Sequence, residues 1–169
     1  MGLDVGYYEN LDAIELPAGA KSSDDIQEWM EENDVIEVRS GDGFLPRLDD
    51  LRPAFYKGSG RQGSFRAGSY GGYNRWRNEL CQVMLGVNAR VVWESPSKWS
   101  DSEFYELIDF SDCEGFIGPR TCAKLARDFM KNRKRFVQSP LTTDYDAQIY
   151  DKFQAAFVLA SDTGCVRFF

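Results

Sequence analysis

Residues 109–120 read Asp-Phe-Ser-Asp-Cys-Glu-Gly-Phe-Ile-Gly-Pro-Arg, and the rest of the chain is organised around this stretch. Before it, Asp101–Ile108 carries apolar residues at helical spacing, and after it Thr121–Phe136 does so again. The stretch itself is acidic and contains two glycines and a proline, which favour turns. The pattern therefore predicts two helices joined by an acidic turn.

The acidic turn partly matches a calcium-binding loop, in which oxygen ligands alternate along the chain around a glycine. With Gly115 at the glycine position, Asp112 and Glu114 occupy ligand positions, but the two outermost positions lack a carboxylate. Asp109, one residue out of register, completes the candidate ligands for Ca²⁺ or Mg²⁺. In the alternative, which needs no metal, Asp112 and Glu114 accept hydrogen bonds from backbone N–H groups of the turn.

A basic, aromatic and glycine-rich stretch precedes the acidic turn. No acidic residue lies between Asp50 and Glu79, where arginines and lysines alternate with aromatic residues. Its end leads into a predicted helix, Tyr73–Leu85, whose first N–H groups favour an anion. Because arginine binds phosphate and aromatic rings stack on bases, the stretch predicts a phosphorylated, nucleotide-like ligand. The candidate ligand-binding residues are Arg66, Ser69, Tyr70, Tyr73, Asn74 and Arg77.

The alternative is that these aromatic side chains belong to the core and that the arginines pair with the acidic N-terminal part of the chain. Arg75 and Arg77 are expected to differ, since they lie about 200° apart around a helix axis. Arg77 shares a face with Tyr70 and Asn74 and is the stronger ligand candidate. Arg75 is expected to contact the acidic segment or solvent. Arg77 could instead pair with a carboxylate of the acidic turn and join the two stretches.

Charge is distributed unevenly along the 169 residues. Residues 1–50 hold 14 acidic and 3 basic side chains, whereas the remainder holds 13 acidic and 17 basic ones, and the whole chain has a net charge of −7. The acidic half either maintains solubility or meets a basic partner. The negative charge of this half repels the phosphates of nucleic acid, which argues against binding of a duplex.

Several classes of chemistry lack the residues they need. The chain contains no histidine, which excludes Ser–His and Cys–His nucleophile pairs. Its four cysteines form no C-x-x-C pair, which disfavours a structural zinc site. No signal-peptide pattern or run of 18 apolar residues is present, so a cytoplasmic protein without a membrane partner is expected.

The whole chain predicts a single α+β domain with a small mixed or antiparallel sheet and about four to five helices. Further helices are expected from Ser22 or Ser23 to about Asn33, and from Thr142 or Thr143 to about Ala160. A turn is expected at Ser40–Gly43. The predicted strands are Leu3–Tyr8, Ala13–Leu16, Val35–Arg39, Ala54–Lys57, Ser64–Ala67, Val87–Trp93 and Cys165–Phe169.

The chain resembles a family of uncharacterised small proteins of bacteriophages and bacteria. Three motifs carry the resemblance: Met-Gly-Leu-Asp at Met1–Asp4, Ser-Tyr-Gly-Gly-Tyr-Asn-Arg-Trp-Arg at Ser69–Arg77, and Ser-Asp-Cys-Glu-Gly at Ser111–Gly115. The resemblance implies a phage context, and with it the cytoplasm of a host cell, but no activity. It also implies that the acidic segment 9–50 is an insertion, because shorter relatives lack it.

These observations favour a non-enzymatic binding protein for an anionic, nucleotide-like small molecule, such as a defence signal that a phage would sequester. Two alternatives stay open. One is a metal-assisted hydrolase of such a ligand that uses the carboxylates of the acidic turn. The other is an acidic protein-interaction module. The sequence also leaves open whether the protein forms a homo-oligomer.

Overall fold

The computed structural model describes residues 2–20, 22–39 and 45–169; Met1 and the predicted turn at Ser40–Gly43 lie outside these ranges. The strands are β1 Gly2–Tyr8, β2 Leu11–Ile14, β3 Val35–Val38, β4 Ala54–Gly58, β5 Gln62–Ser69, β6 Gly115–Ile117 and β7 Cys165–Phe168. The helices are α1 Ser23–Asn33, α2 Leu45–Leu48, α3 Tyr70–Leu85, α4 Ala89–Glu94, α5 Pro96–Trp99, α6 Tyr105–Ile108, α7 Pro119–Val137 and α8 Asp144–Ala160.

The main sheet has the strand order β5-β1-β7-β6, and each neighbouring pair is antiparallel. Alternate residues of a strand face opposite sides of a sheet. Leu3 and Val5 of β1 and Val166 and Phe168 of β7 are buried in the core, which α3, α7 and α8 complete on that side of the sheet. The residues between them, such as Arg167, therefore lie on the opposite side.

The core between the main sheet and the helices is largely aromatic. Trp76 stacks on Phe153 with 4.9 Å between ring centroids, and Phe104 meets Phe129 edge-on at 4.9 Å. Each of these side chains is at most 1% exposed. Burying a large apolar side chain stabilises a protein by roughly 1.5–3 kcal/mol, so these contacts hold α3 against α8 and the segment before α6 against α7.

The second sheet is smaller, antiparallel and ordered β2-β4-β3. Its side chains Ile36, Val38 and Tyr56 pack with Phe116 of β6 and Cys165 of β7 in a cluster separate from the main core. Helix α1 contacts β3 but buries none of its side chains fully. Much of the acidic segment 9–50 thus forms this second layer.

The predicted α+β class is confirmed, and both sheets are antiparallel. Capping residues set the helix boundaries as expected. Ser22 caps α1 and Thr143 caps α8, and in each case an aspartate three residues later completes a capping box. Gly86 ends α3 with φ +72°, a left-handed conformation that glycine adopts without strain.

The prediction of a strand at Val87–Trp93 was wrong, because Ala89–Glu94 forms α4. The Asn88 side chain caps this helix by accepting a hydrogen bond from the Arg90 amide at 2.9 Å. Val92 is fully buried, and the Trp93 indole N–H donates to the Ile108 carbonyl at 2.8 Å. A helix cap and tertiary contacts therefore override the β-branched residues, whose strand preference is weak.

The helix predicted over Asp101–Ile108 begins only at Tyr105. Phe104 adopts a left-handed conformation with φ +60°, and its amide donates to the buried Asp128 carboxylate at 2.9 Å. The acidic turn also differs from the prediction, since it contains strand β6, which pairs with β7. A three-residue strand has too little sequence for its periodicity to be recognised.

Candidate functional site

A groove of about 780 Å³ lies between the two layers of the protein, and we call it the inter-sheet groove. Its floor is the face of the main sheet that points away from the helices, and its wall is formed by α1 and β3. Of the described residues, twenty line it: Gly6, Tyr8, Gln27, Met30, Glu31, Asp34, Val35, Ile36, Glu37, Arg39, Gln62, Gly63, Ser64, Cys113, Glu114, Gly115, Phe116, Arg167, Phe168 and Phe169.

Strand register positions the floor residues. Gly6 of β1 lies opposite Ser64 of β5 on one side and opposite Arg167 of β7 on the other. Arg167 in turn lies opposite Phe116 of β6. Directly paired residues project to the same face of a sheet, so these four positions form a row across the floor of the inter-sheet groove.

Arg167 is the central cation of this floor. Its guanidinium carbon lies 5.0 Å from the centroid of the Phe169 ring and 5.7 Å from that of Phe116, which are cation–π distances. Within the described residues, no carboxylate lies at ion-pair distance from Arg167. The guanidinium therefore forms no salt bridge within the described structure, and the polar side chain that it meets there is the Tyr8 hydroxyl, through a hydrogen bond.

Two neighbours of Arg167 complete the floor. A Cβ atom at Gly6 would lie 3.3 Å from the Phe169 ring and 3.4 Å from the Tyr8 ring, so glycine at this position lets both rings pack closely over β1. Burial raises the pKa of the Tyr8 hydroxyl, while Arg167 lowers it and the Asp34 carboxylate raises it. Tyr8 thus lies within reach of a cation on the floor and an anion on the wall.

The wall is acidic. Glu31, Asp34 and Glu37 line it, and Arg39 is its cation. Glu31 accepts a hydrogen bond from the Gln27 amide at 2.6 Å, and Glu37 forms a 2.8 Å ion pair with Arg39. The inter-sheet groove therefore presents a cationic floor opposite a mainly anionic wall.

The structure places three of the sequence-predicted ligand residues in a buried network. Arg77 is 4% exposed, donates to the Phe110 carbonyl and to the Asn74 side chain, and lies over the rings of Tyr73 and Trp93 at 5.2 and 4.9 Å. Tyr73 is fully buried in the aromatic core, and this burial raises the pKa of its hydroxyl. Its ring has no face for a ligand, which corrects its predicted role in stacking.

This network joins the basic stretch to the acidic turn. The sequence analysis gave this as one alternative for Arg77, but it predicted a carboxylate of the turn as the partner. Asn74 donates to the Asp112 carboxylate at 2.5 Å, whereas Arg77 binds the backbone carbonyl of Phe110. The Nε atom of Arg77 and the hydroxyl of Tyr73 are both buried, without a hydrogen-bond partner in the described structure. Burial and hydrogen bonding assign Arg77 to the structural framework.

The remaining predicted ligand residues lie nearer the surface. Ser69 caps α3 by accepting from the Gly72 amide at 3.0 Å, and Tyr70 packs against the core. Arg66 forms a 2.5 Å ion pair with Asp4. Both Arg66 and Asp4 are two positions along their strands from the floor residues Ser64 and Gly6, so they extend the same face of the sheet. Of the predicted ligand residues, Arg66 is thus the one placed on the same sheet face as the groove floor.

The sequence predicted that Arg75 contacts the acidic N-terminal segment or solvent. Among the described residues its ion-pair partners lie elsewhere, and the side chain is 48% exposed, so the alternative of solvent contact fits. Its guanidinium pairs with Glu79 at 2.6 Å and with Asp146 of α8 at 2.9 Å. Arg75 and Arg77 have no hydrogen-bond partner in common among the described residues, which agrees with their separation around the helix axis. Their positions around the helix axis separate the two side chains, whereas the tertiary structure determines which partners each one meets.

The carboxylates of the acidic turn have separate partners. Asp109 accepts from Arg47 at 3.0 Å and from the Tyr105 hydroxyl at 2.8 Å, and Asp112 accepts from Asn74. Glu114 is exposed and lines the groove. In the part of the chain that is described, no three His, Cys, Asp or Glu side chains are grouped to hold a metal ion.

The predicted backbone role of Asp112 is instead performed by its neighbour. The Ser111 hydroxyl accepts hydrogen bonds from the amides of Cys113 and Glu114 at 3.2 and 3.0 Å. The sequence favoured Asp112 because aspartate commonly makes such local bonds, and serine does so as well. The structure therefore corrects which residue stabilises the turn.

Sequence reasoning missed the main residues of the groove: Tyr8, Asp34, Arg167 and Phe169. Tyr8, Arg167 and Phe169 lie near opposite ends of the sequence and meet through the main sheet, whereas Asp34 is placed by the packing of α1 and β3. One signal was available, since Arg167 interrupts an otherwise apolar C-terminal strand, Cys165–Phe169. A charged residue at an alternate position of such a strand marks its second face.

Comparisons with known proteins supply no identification: no family model, no curated protein and no solved structure matches this chain. Among the helices that the structure describes, none has the length and apolar character needed to span a membrane.

Proposed function

We propose that this protein binds a phosphorylated, nucleotide-like small molecule in the inter-sheet groove, with Arg167 as the anchor for the anionic group. The observation that carries this proposal is the state of Arg167. Its guanidinium packs against Phe116 and Phe169 and forms no ion pair with a carboxylate of the described residues.

The chemistry of arginine supports this role. A guanidinium has a planar fork of N–H donors that matches two oxygens of a phosphate or carboxylate, and it is weakly hydrated enough to stack on aromatic rings. The rings of Phe116 and Phe169 restrict the side chain before a ligand arrives. Less conformational entropy is then lost on binding, which favours affinity.

The size and surface of the groove also support the proposal. Its volume of about 780 Å³ falls in the range of small-molecule sites, which is roughly 300–1,000 Å³. Phe169 is 47% exposed and offers an aromatic surface for a base. The sequence-based expectation of a nucleotide-like ligand is thus retained, but its anchor moves from the start of α3 to β7.

We further propose that the ligand is held unaltered, as a protein that sequesters a signalling nucleotide would hold it. The groove is lined by carboxylates of the wall and by two arginines, of which Arg39 is already paired with Glu37. Binding and retention need only the anchor and the aromatic surface, and both are supplied by the sheet floor.

The test is isothermal titration calorimetry with a panel of nucleoside monophosphates and with inorganic phosphate, on the unmutated chain and on Arg167→Gln. The matched control is Arg90→Gln, which removes an exposed arginine of α4 that pairs with Glu94. A hydrogen-bonded charge contributes about 1.5–3 kcal/mol, so Arg167→Gln should weaken nucleotide binding by about tenfold or more. Arg90→Gln should leave it unchanged.

Binding of no nucleotide at millimolar concentration would refute the proposal, and so would equal affinities of Arg167→Gln and the unmutated chain. Chromatography of the ligand recovered after prolonged incubation tests retention separately. Intact nucleotide is expected, whereas a converted product would show that the groove is an active site.

A further inference from the structure

Of the three carboxylates on the wall formed by α1 and β3, Asp34 is the one available to a ligand opposite Arg167; Glu114, which also lines the groove, directly precedes β6 of the floor. In the part of the chain that the structure describes, the Asp34 side chain makes no hydrogen bond or ion pair. The other two acidic wall residues are engaged, since Glu31 binds Gln27 and Glu37 binds Arg39.

The backbone holds Asp34 in place. The residue follows the last turn of α1 in a left-handed conformation, with φ 53° and ψ 45°, and its amide donates to the Met30 carbonyl. The next residue, Val35, is 5% exposed and begins β3. The fold therefore fixes the backbone from which the exposed Asp34 side chain enters the groove.

Asp34 on the wall and Arg167 on the floor both influence the Tyr8 hydroxyl electrostatically. Burial raises the pKa of the Tyr8 hydroxyl, Arg167 lowers it, and Asp34 raises it. The two charges are thus both near Tyr8 but form no ion pair with each other. A molecule that lies between them needs an acceptor group at one end and donor groups at the other.

Among nucleobases, one presents two hydrogen-bond donors side by side. Guanine carries the ring N1–H next to the exocyclic N2–H, and a carboxylate accepts from such a pair with both oxygens. Adenine and cytosine place an acceptor beside the amino group, and uracil flanks its single N–H with carbonyl groups. A carboxylate repels these acceptors, so it favours guanine over the other three bases.

We infer that Asp34 is the base-reading residue of the inter-sheet groove and that the ligand is a guanine nucleotide. This inference rests on the proposed function, because Arg167 must hold the phosphate for Asp34 to meet the base. The class of ligand is thereby narrowed from nucleotide-like anions to those whose base donates two adjacent hydrogen bonds.

The experiment compares the binding of guanosine, inosine and xanthosine monophosphates by calorimetry. Inosine monophosphate lacks the exocyclic amino group, and xanthosine monophosphate has a carbonyl oxygen in its place. The unmutated chain should bind the guanosine compound about tenfold more tightly than the inosine compound, since one hydrogen bond to a charged acceptor is lost. Xanthosine monophosphate should bind more weakly still.

Asp34→Asn is the decisive variant. Asparagine tolerates the left-handed backbone of this position, so the turn is kept. Its side chain accepts from N1–H and donates to a carbonyl, so the variant should lose affinity for the guanosine compound and gain affinity for the xanthosine compound. A merely structural role of Asp34 would not produce this exchange. The matched control is Glu28→Gln, which removes one charge from the same helix at an exposed position outside the groove.

Failure of the two proposals is distinguishable. If the three nucleotides bind with equal affinity, and Asp34→Asn behaves as the unmutated chain does, the assignment of guanine is overturned while Arg167 stands as the anchor. If the unmutated chain binds none of them, the proposed function and this inference both fail. If Glu28→Gln and Asp34→Asn change the nucleotide affinities equally, Asp34 acts only through the net charge of the protein, and the inference is also overturned.

Discussion

Asp146→Ala should destabilise the protein by about 3 kcal/mol, because this carboxylate joins two long helices from a buried position. Its side chain is 0% exposed, and it accepts from the Thr143 amide at 2.9 Å, from the Thr143 hydroxyl at 2.6 Å and from Arg75 at 2.9 Å. Loss of the capping box costs about 1 kcal/mol. The hydroxyl bond to a charged acceptor adds about 1.5 kcal/mol. Arg75 is half exposed, so its ion pair adds at most about 1 kcal/mol.

The effect should depend on pH with a defined sign. Burial raises the pKa of the Asp146 carboxyl, but hydrogen bonds from Thr143 and Arg75 outweigh this, and the pKa lies below its usual 3.8. A lowered pKa in the folded state stabilises the protein above the unfolded value, and this stabilisation is lost as the pH falls through the folded value. The difference between the unmutated chain and Asp146→Ala should therefore be constant from pH 5 to 7 and should shrink below pH 4.

Urea denaturation at pH 7, pH 5 and pH 3 measures these free energies, and thermal melting should show a decrease of roughly 6–12 °C at neutral pH. Asp144→Ala is the matched control, since Asp144 lies in the same first turn but is exposed and contributes only its interaction with the helix dipole, up to about 1 kcal/mol. Equal losses for the two variants, or a difference that grows on acidification, would refute the reasoning.

Two further predictions concern backbone approach and thiol accessibility. Gly118→Ala should destabilise the protein by about 1–3 kcal/mol, because the new Cβ atom would lie 2.2 Å from the Leu48 carbonyl oxygen. Gly71→Ala should instead stabilise it by up to about 1 kcal/mol, because a Cβ atom there would meet no atom of another part of the chain within 4 Å. Urea denaturation measures both changes. A loss of stability in both variants would contradict the geometric argument. Cys113 is exposed and should react rapidly with a disulfide reagent at pH 8. Cys81, Cys122 and Cys165 should react only after unfolding, because they are buried. Burial also raises the pKa of each of these three thiols, to about 11 for Cys81. Spectrophotometric titration should count one thiol in the folded state and four in denaturant, and a second fast thiol in the folded state would show that one of the three is not enclosed.

Local sequence determined most of the helices and their boundaries. Ser22, Thr143 and Gly86 are capping residues whose effect depends on the adjacent backbone, so the ends of α1, α8 and α3 could be predicted without tertiary information. The spacing of Tyr73, Trp76 and Leu80 likewise placed one face of α3 in the core. The same local rules failed at Val87–Trp93, where contacts with distant residues outweighed strand preference.

The candidate site shows why function was harder to predict than fold. The basic stretch was recognised from its composition, but composition does not say which arginines are buried. Arg77 and Arg167 are both arginines with aromatic neighbours, yet Arg77 is enclosed behind the sheet and Arg167 lies on its open face. That difference depends on which side of the sheet each element packs.

By itself, the sequence determined the class of the fold, the caps of the helices and the separation of an acidic from a basic half, because each depends on neighbouring residues or on composition. Only the tertiary structure decided that β1 pairs with β7, and this pairing places Tyr8 beside Arg167, more than 150 positions along the chain. The packing of β3 and α1 then places Asp34 opposite them. The groove exists because antiparallel pairing joins the two ends of the chain, and no local pattern encodes contacts at such a separation.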